Sequence, residues 1–142
     1  MIFSNQDIFS DYQAITASAA STNVIDLGDT GRVIGETADL SQDAGAGRKI
    51  PLRIQVTTAF ATLTSLKVAV QTDDDSAFGS PTTVLETEAI PVASLVAGYV
   101  FNIDEIPLKT NERYVRLYYT VAGSNATAGK IFAGINLGNQ TA

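Results

Sequence analysis

From Pro51 to Leu137 the clearest segments of the chain alternate apolar and polar residues with a period of two. Successive side chains of a strand point to opposite faces, so this pattern specifies half-buried strands, and helical periodicity is nearly absent. Leu52, Ile54 and Val56 share one face of the run 51–59, with Arg53, Gln55 and Thr57 on the other. In 66–71, Leu66, Val68 and Val70 oppose Lys67, Ala69 and Gln71. These two runs are expected to be neighbouring antiparallel strands. Val115, Leu117, Tyr119 and Val121 alternate with Tyr114, Arg116, Tyr118 and Thr120, and Ile131, Ala133, Ile135 and Leu137 with Phe132, Gly134 and Asn136. Those are the expected last two strands.

Weaker strand signals at 14–18, 21–27, 82–90 and 98–103 bring the count to about eight, the number of a two-sheet jelly roll. The expected fold is therefore all-β, a jelly-roll-like β-sandwich of antiparallel strands in one domain over 1–142, with residues 1–12 as an N-terminal arm. Two turn-rich stretches interrupt the pattern. Residues 28–49 carry Gly28, Gly31, Gly35, Gly45 and Gly47, and residues 73–81 carry three Asp, two Ser, a Gly and a Pro. The first is long enough to be functional. Residues 93–97 could make one helical turn, and 139–142 are expected to fray.

The 142 residues contain no Cys and no His. A domain of about this size buries about 70% of its unfolded surface and needs no staples. Without Cys there are no disulfides, thiolate metal sites or thiol nucleophiles, and without His there is no Ser-His-Asp triad or imidazole site. Nine basic against fifteen acidic residues give a net charge of −6, which opposes nucleic acid, whose binding depends on neutralising phosphates. The apolar runs are too short for a membrane span and no basic leader precedes them, so neither membrane insertion nor export is expected.

Three constellations could carry chemistry. Asp73, Asp74 and Asp75 are candidate cation ligands, but the distal Glu and alternating ligands of a calcium loop are missing, and a turn with Phe78 tucked back as its anchor is the simpler reading. The run Gly45-Ala46-Gly47-Arg48-Lys49 lacks the spacing and the following helix of a phosphate loop, and reads as a flexible connection. Glu86, Glu88, Asp104, Glu105 and Glu112 offer carboxylate pairs for glycoside hydrolysis, as any acidic chain would. No cofactor is expected. The stripe Tyr114, Arg116, Tyr118, with Phe132 facing the same way, has the composition of an interface and is the expected self-association surface.

Six segments in order, FSDYQAITASAASTNVIDLG (9–28), PLRIQV (51–56), LTSLKVAVQTDDDSAFGSPTTV (63–84), LVAGYVFNIDEIP (95–107), ERYVRLYYTVAG (112–123) and TAGKIFAGI (127–135), resemble the capsid cement, or decoration, proteins of tailed bacteriophages. The particular family is a small jelly-roll type encoded beside the major capsid protein. The resemblance implies a protein without a catalytic site that binds the major capsid protein on the outer surface of the virion and bridges coat subunits. It also implies self-association, as a dimer in preference to a trimer. Ile2, Phe3, Ile8, Phe9 and Tyr12 are the expected coat contacts on the arm. The alternative is a carbohydrate- or receptor-binding sandwich of a phage particle using the 73–81 loop.

Overall fold

The computed structural model describes residues 2–138; Met1 of the expected arm and the fraying expected at 139–142 lie outside them. Seven strands form one antiparallel sheet: β1 (Phe3–Ala14), β2 (Ala19–Ala20), β3 (Ile25–Asp26), β4 (Leu52–Asp73), β5 (Thr82–Glu86), β6 (Ile90–Pro91) and β7 (Tyr114–Asn136). The order is β1-β7-β4-β5, with β2 and β3 also on β7 and β6 on β4.

β4 and β7 run for 22 and 23 residues, against about 5–6 for a mean strand. This corrects the expected pairing. The runs 51–59 and 66–71 are not neighbours but, from Leu52 on, lie in the two halves of β4, and 114–121 and 131–136 belong to the single strand β7, which ends before Leu137. Each half of β4 pairs with the far half of β7, as in Ile54↔Ala133 and Val68↔Tyr119. Register shifts between Val56 and Ser65 bend the ladder at mid-length, as bulges do.

Specific residues make that corner. Thr62 takes a left-handed φ of 73°, and its hydroxyl donates to the Asn125 carbonyl at 2.8 Å and accepts from the Thr127 N–H at 3.0 Å. Across from it, Gly129 has φ 138°, and a Cβ there would lie 2.2 Å from the Phe60 ring. Only glycine fits so close to an aromatic face in that conformation.

Leu52, Ile54 and Val56 from one half of β4 join Leu66, Val68 and Val70 from the other in one core cluster, together with Val115, Leu117, Tyr119, Ile131 and Ala133 of β7. The sheet thus curls over its own apolar face, and its two halves become the layers of a sandwich. In one layer, β1, the end of β7 and the start of β4 are flanked by residues 98–106. These bond to β4 through Gly98 N to Val56 O at 2.8 Å and Phe101 N to Ile54 O at 3.0 Å. In the other layer, the start of β7 and the end of β4 carry the short strands β2, β3, β5 and β6. The helical turn expected at 93–97 appears as a 3-10 turn over Val92–Ser94.

The arm expected at 1–12 is for the most part strand β1, an edge of the sheet. Phe9 is fully buried in the core. The buried Tyr119 hydroxyl lies 2.7 Å from Ser10 Oγ, which donates to Gln13 Oε1 at 2.7 Å, and burial raises the Tyr119 phenol's pKa. Gln13 in turn donates to the Ala20 carbonyl, and Asn23 donates its side-chain amide to the Ile8 carbonyl and its backbone N–H to the Phe9 carbonyl. The segment is therefore stitched to β7 on one side and to residues 20–23 on the other.

Candidate interaction surface

Three register shifts interrupt the pairing of β1 with β7, the last between Ser10 and Gln13. Tyr12 sits in that bulge with φ 50° and is 60% exposed. A tyrosine at positive φ is uncommon, and the bulge re-aims its side chain across the outer face of the sheet. There its ring lies 5.5 Å from Phe132, which Phe3 meets edge-on at 4.8 Å. Three aromatic rings from distant parts of the sequence thus form one patch, with Arg53 and Gln55 on the adjoining strand.

The expected arm contacts therefore divide. Ile2 is exposed, Tyr12 is exposed, and Phe3 and Ile8 are half-buried. Phe9 is corrected: it points into the core and is not available to a partner. The expected self-association stripe is corrected in the same way. Phe132 pairs opposite Gln55 in one layer, whereas Tyr118 pairs opposite Ala69 in the other, so Phe132 joins Phe3 and Tyr12 and not the stripe.

Within the stripe, Arg116 is shelved between rings, 4.1 Å over Phe78 and 5.5 Å from Tyr118, while its Nε donates to Gln71 Oε1 at 2.9 Å. Phe78 is buried at φ 52° and anchors the 73–81 loop. Asp73 caps that loop from within, accepting the N–H groups of Asp75 and Ser80 at 3.0 Å each. Those bonds, the Asp75 amide first, hold its pKa below the ordinary carboxylate value. Asp75 accepts the Ala77 N–H. Both Asp73 oxygens and one of Asp75 are turned to backbone donors, and no group of three or more acidic, His or Cys side chains among the described residues is placed to hold a metal.

The remaining constellations are also explained by local contacts. Gly45 packs against backbone: a Cβ there would lie 1.9 Å from the Pro107 carbonyl oxygen. Around it Asp43 accepts the Gly45 and Lys109 N–H groups, so the glycine run closes a loop onto residues 107–110. Of the carboxylates, Glu86 pairs with Lys67 at 3.1 Å and Glu105 with Lys49 at 2.8 Å, while Glu112 accepts from Thr72 at 2.5 Å. Glu86 and Glu88 border an open groove with Tyr99 and Asn102, and Asp104 and Glu105 border an adjoining one.

One clamp was not legible in the sequence. Arg113 grips Asp26 through Nε and Nη2 at 2.8 and 2.9 Å and reaches Asp29 through Nη1 at 2.6 Å, tying β3 and the chain after it to the residue that enters β7. The guanidinium, helped by the Gly28 N–H, holds the Asp26 pKa down to about 2. Because this folded value lies below the unfolded value of about 3.9, the contact stabilises the fold above that pH. The contribution is lost as pH falls through about 2. Asp26→Asn should therefore flatten the decline in thermal midpoint between pH 4 and pH 2 of a pH series; an unchanged slope would count against the clamp.

The fold defines an all-β protein, a sandwich made from one curled antiparallel sheet with its polar and aromatic features on outer faces. A family model described as Bbp16 matches residues 9–135, nearly the whole chain, and the chain belongs to that phage-related family. A search of curated proteins finds no match.

Proposed function

We propose that this chain is a structural component of a bacteriophage particle, a capsid cement protein on the outside of an icosahedral head that binds the major capsid protein and bridges neighbouring coat subunits. The observation that carries this reading is the aromatic patch of Phe3, Tyr12 and Phe132 on the outer face of a phage-related β-sandwich. Aromatic side chains offer large contact area at low entropic cost and are enriched at interfaces. The role requires no reaction chemistry, metal or cofactor. A protein that binds the assembled shell better than free coat subunits shifts the equilibrium toward the shell by mass action. Contacts to two subunits at once multiply that effect, since release requires breaking both.

Tyr12→Asn tests the patch. Asparagine tolerates the left-handed backbone that Tyr12 adopts, so the thermal midpoint should hold or rise slightly while the ring is lost. Co-sedimentation with shells purified from phage lacking this gene should weaken about tenfold. Binding equal to wild type would remove the patch from the account.

A further inference from the structure

The sheet has two edges, and the chain treats them differently. At β1, Asn23 bonds the Ile8 and Phe9 carbonyls and Gln13 reaches across to Ala20, so that edge is partly covered. β5, at the other end of the order β1-β7-β4-β5, pairs only with β4. Among the described residues no group outside β4 bonds the main chain of Thr82–Glu86, so its outward N–H and C=O groups are open. An open edge is a template for a further strand, and proteins blunt such edges with charges, prolines, bulges or a cover. Pro81 and a bulge at Val84 shorten this one. Thr82, Thr83, Val84 and Leu85 are nevertheless uncharged and β-prone.

A groove runs beside the edge, between it and the flank of the facing layer. Its two parts have volumes of about 340 and 300 Å³, each about ten times that of a water (~30 Å³). They meet at Leu85 and Asn102, which line both, and Ile90, Tyr99, Ile103 and Pro107 supply apolar walls. Leu85 lies there 40% exposed. We propose that β5 and this groove receive an extended segment of another protein, which adds as a strand to the open edge and lays an apolar side chain over Leu85. A row of backbone donors and acceptors is matched by another extended backbone, as in strand addition to other sheet edges.

The groove also argues against a second copy as the occupant. A copy brings its own β5 with β4 bonded behind it and the same groove alongside, so edge-to-edge pairing would set two grooves mouth to mouth and fill neither. Charge adds one contact. Glu86 and Glu105 are paired with Lys67 and Lys49, Asp104 also acts on Lys49, and Arg48 and Lys109 follow just beyond the lining residues. Glu88 alone has no cationic partner among the described residues, so the segment should carry one Lys or Arg beside its apolar residue. On the function proposed above, on which this inference rests, the segment belongs to a coat subunit. The edge and the aromatic patch lie in different layers, so one molecule can engage two subunits.

Amide exchange of the protein bound to shells purified from phage lacking this gene tests the inference. Exchange in the peptide covering 82–86 should slow at least about tenfold on binding, because strand pairing protects amides that are open in the free protein. Leu85→Lys, at an exposed position, should leave the thermal midpoint nearly unchanged and weaken co-sedimentation with those shells about tenfold. If wild type binds but exchange at 82–86 is unchanged, or Leu85→Lys binds equally well, the strand addition is wrong and the coat-binding reading stands. If wild type fails to bind, both fall. If exchange at 82–86 slows with rising concentration of the free protein alone, the edge pairs with a second copy and the inference is overturned.

Discussion

Phe9→Ala is expected to destabilise the fold by about 3–5 kcal/mol, the range for truncating a buried phenylalanine. For a domain of this size that lowers the thermal midpoint by about 10 °C. Phe9 has no exposed surface and already borders a small void of about 30 Å³ with Ile25, Leu27, Ile50 and Ile106. That pocket, which Thr110 also lines, presents no polar surface, so truncation enlarges it without providing partners for a compensating water. The residue also ties strand β1 to the core between Ser10, which meets the buried Tyr119, and Ile8, whose carbonyl Asn23 caps. Urea or thermal unfolding of the variant reads the effect directly. A midpoint close to wild type would mean that β1 is an arm after all.

Gly45→Ala should be nearly as costly, about 3 kcal/mol, at the upper end of ordinary single substitutions. The added methyl would meet backbone and not a movable side chain, 1.9 Å from the Pro107 oxygen and 2.6 Å from the Leu108 nitrogen. Relief requires the two segments to part, which breaks the Ala44 N–H bond to the Thr110 carbonyl and the Lys109 N–H bond to Asp43. Because those contacts close the glycine-rich loop onto residues 107–110, amide exchange should quicken through residues 28–49 as the midpoint falls. Unchanged exchange and an unchanged midpoint would show that the loop closes otherwise.

Both positions mark where sequence reasoning stops. The alternation in 51–59, 66–71 and 114–121 identified the inner face correctly, and Leu52, Ile54, Leu66, Val68 and Leu117 are buried as it requires; in 131–137 it holds for Ile131 and Ala133 but fails at the end, where Asn136 is buried and Leu137 is exposed. It did not reveal that paired runs are halves of one strand: the lack of Gly, Pro, Asn and Asp in 57–65 argued against a turn there, whereas Gly123, Asn125 and Gly129 gave β7 the composition of a break that the strand passes through. That corner is made by Thr62 at positive φ and by glycines on the facing strand, a tertiary solution that β4 itself does not signal.

Period-two reasoning fails in β1 for a related reason. Each of its three register shifts resets which side chain faces inward, so Phe9 enters the core while Tyr12 swings out to Phe132. The meeting of Phe3, Tyr12 and Phe132 depends on the pairing of β1 with the end of β7, which no local pattern encodes. The 73–81 loop was the best anticipated: Asp side chains bond nearby N–H groups and Phe78 folds back under the sheet face.

The central claim is mechanical, that this protein holds an assembled phage head together. The decisive measurement is the temperature at which purified heads release their DNA, with the gene intact, with the gene deleted, and with purified protein added back to the deleted particles. The account predicts release at a lower temperature without the protein and recovery on adding wild type, but incomplete recovery with Tyr12→Asn. Heads equally stable in all three preparations would contradict it.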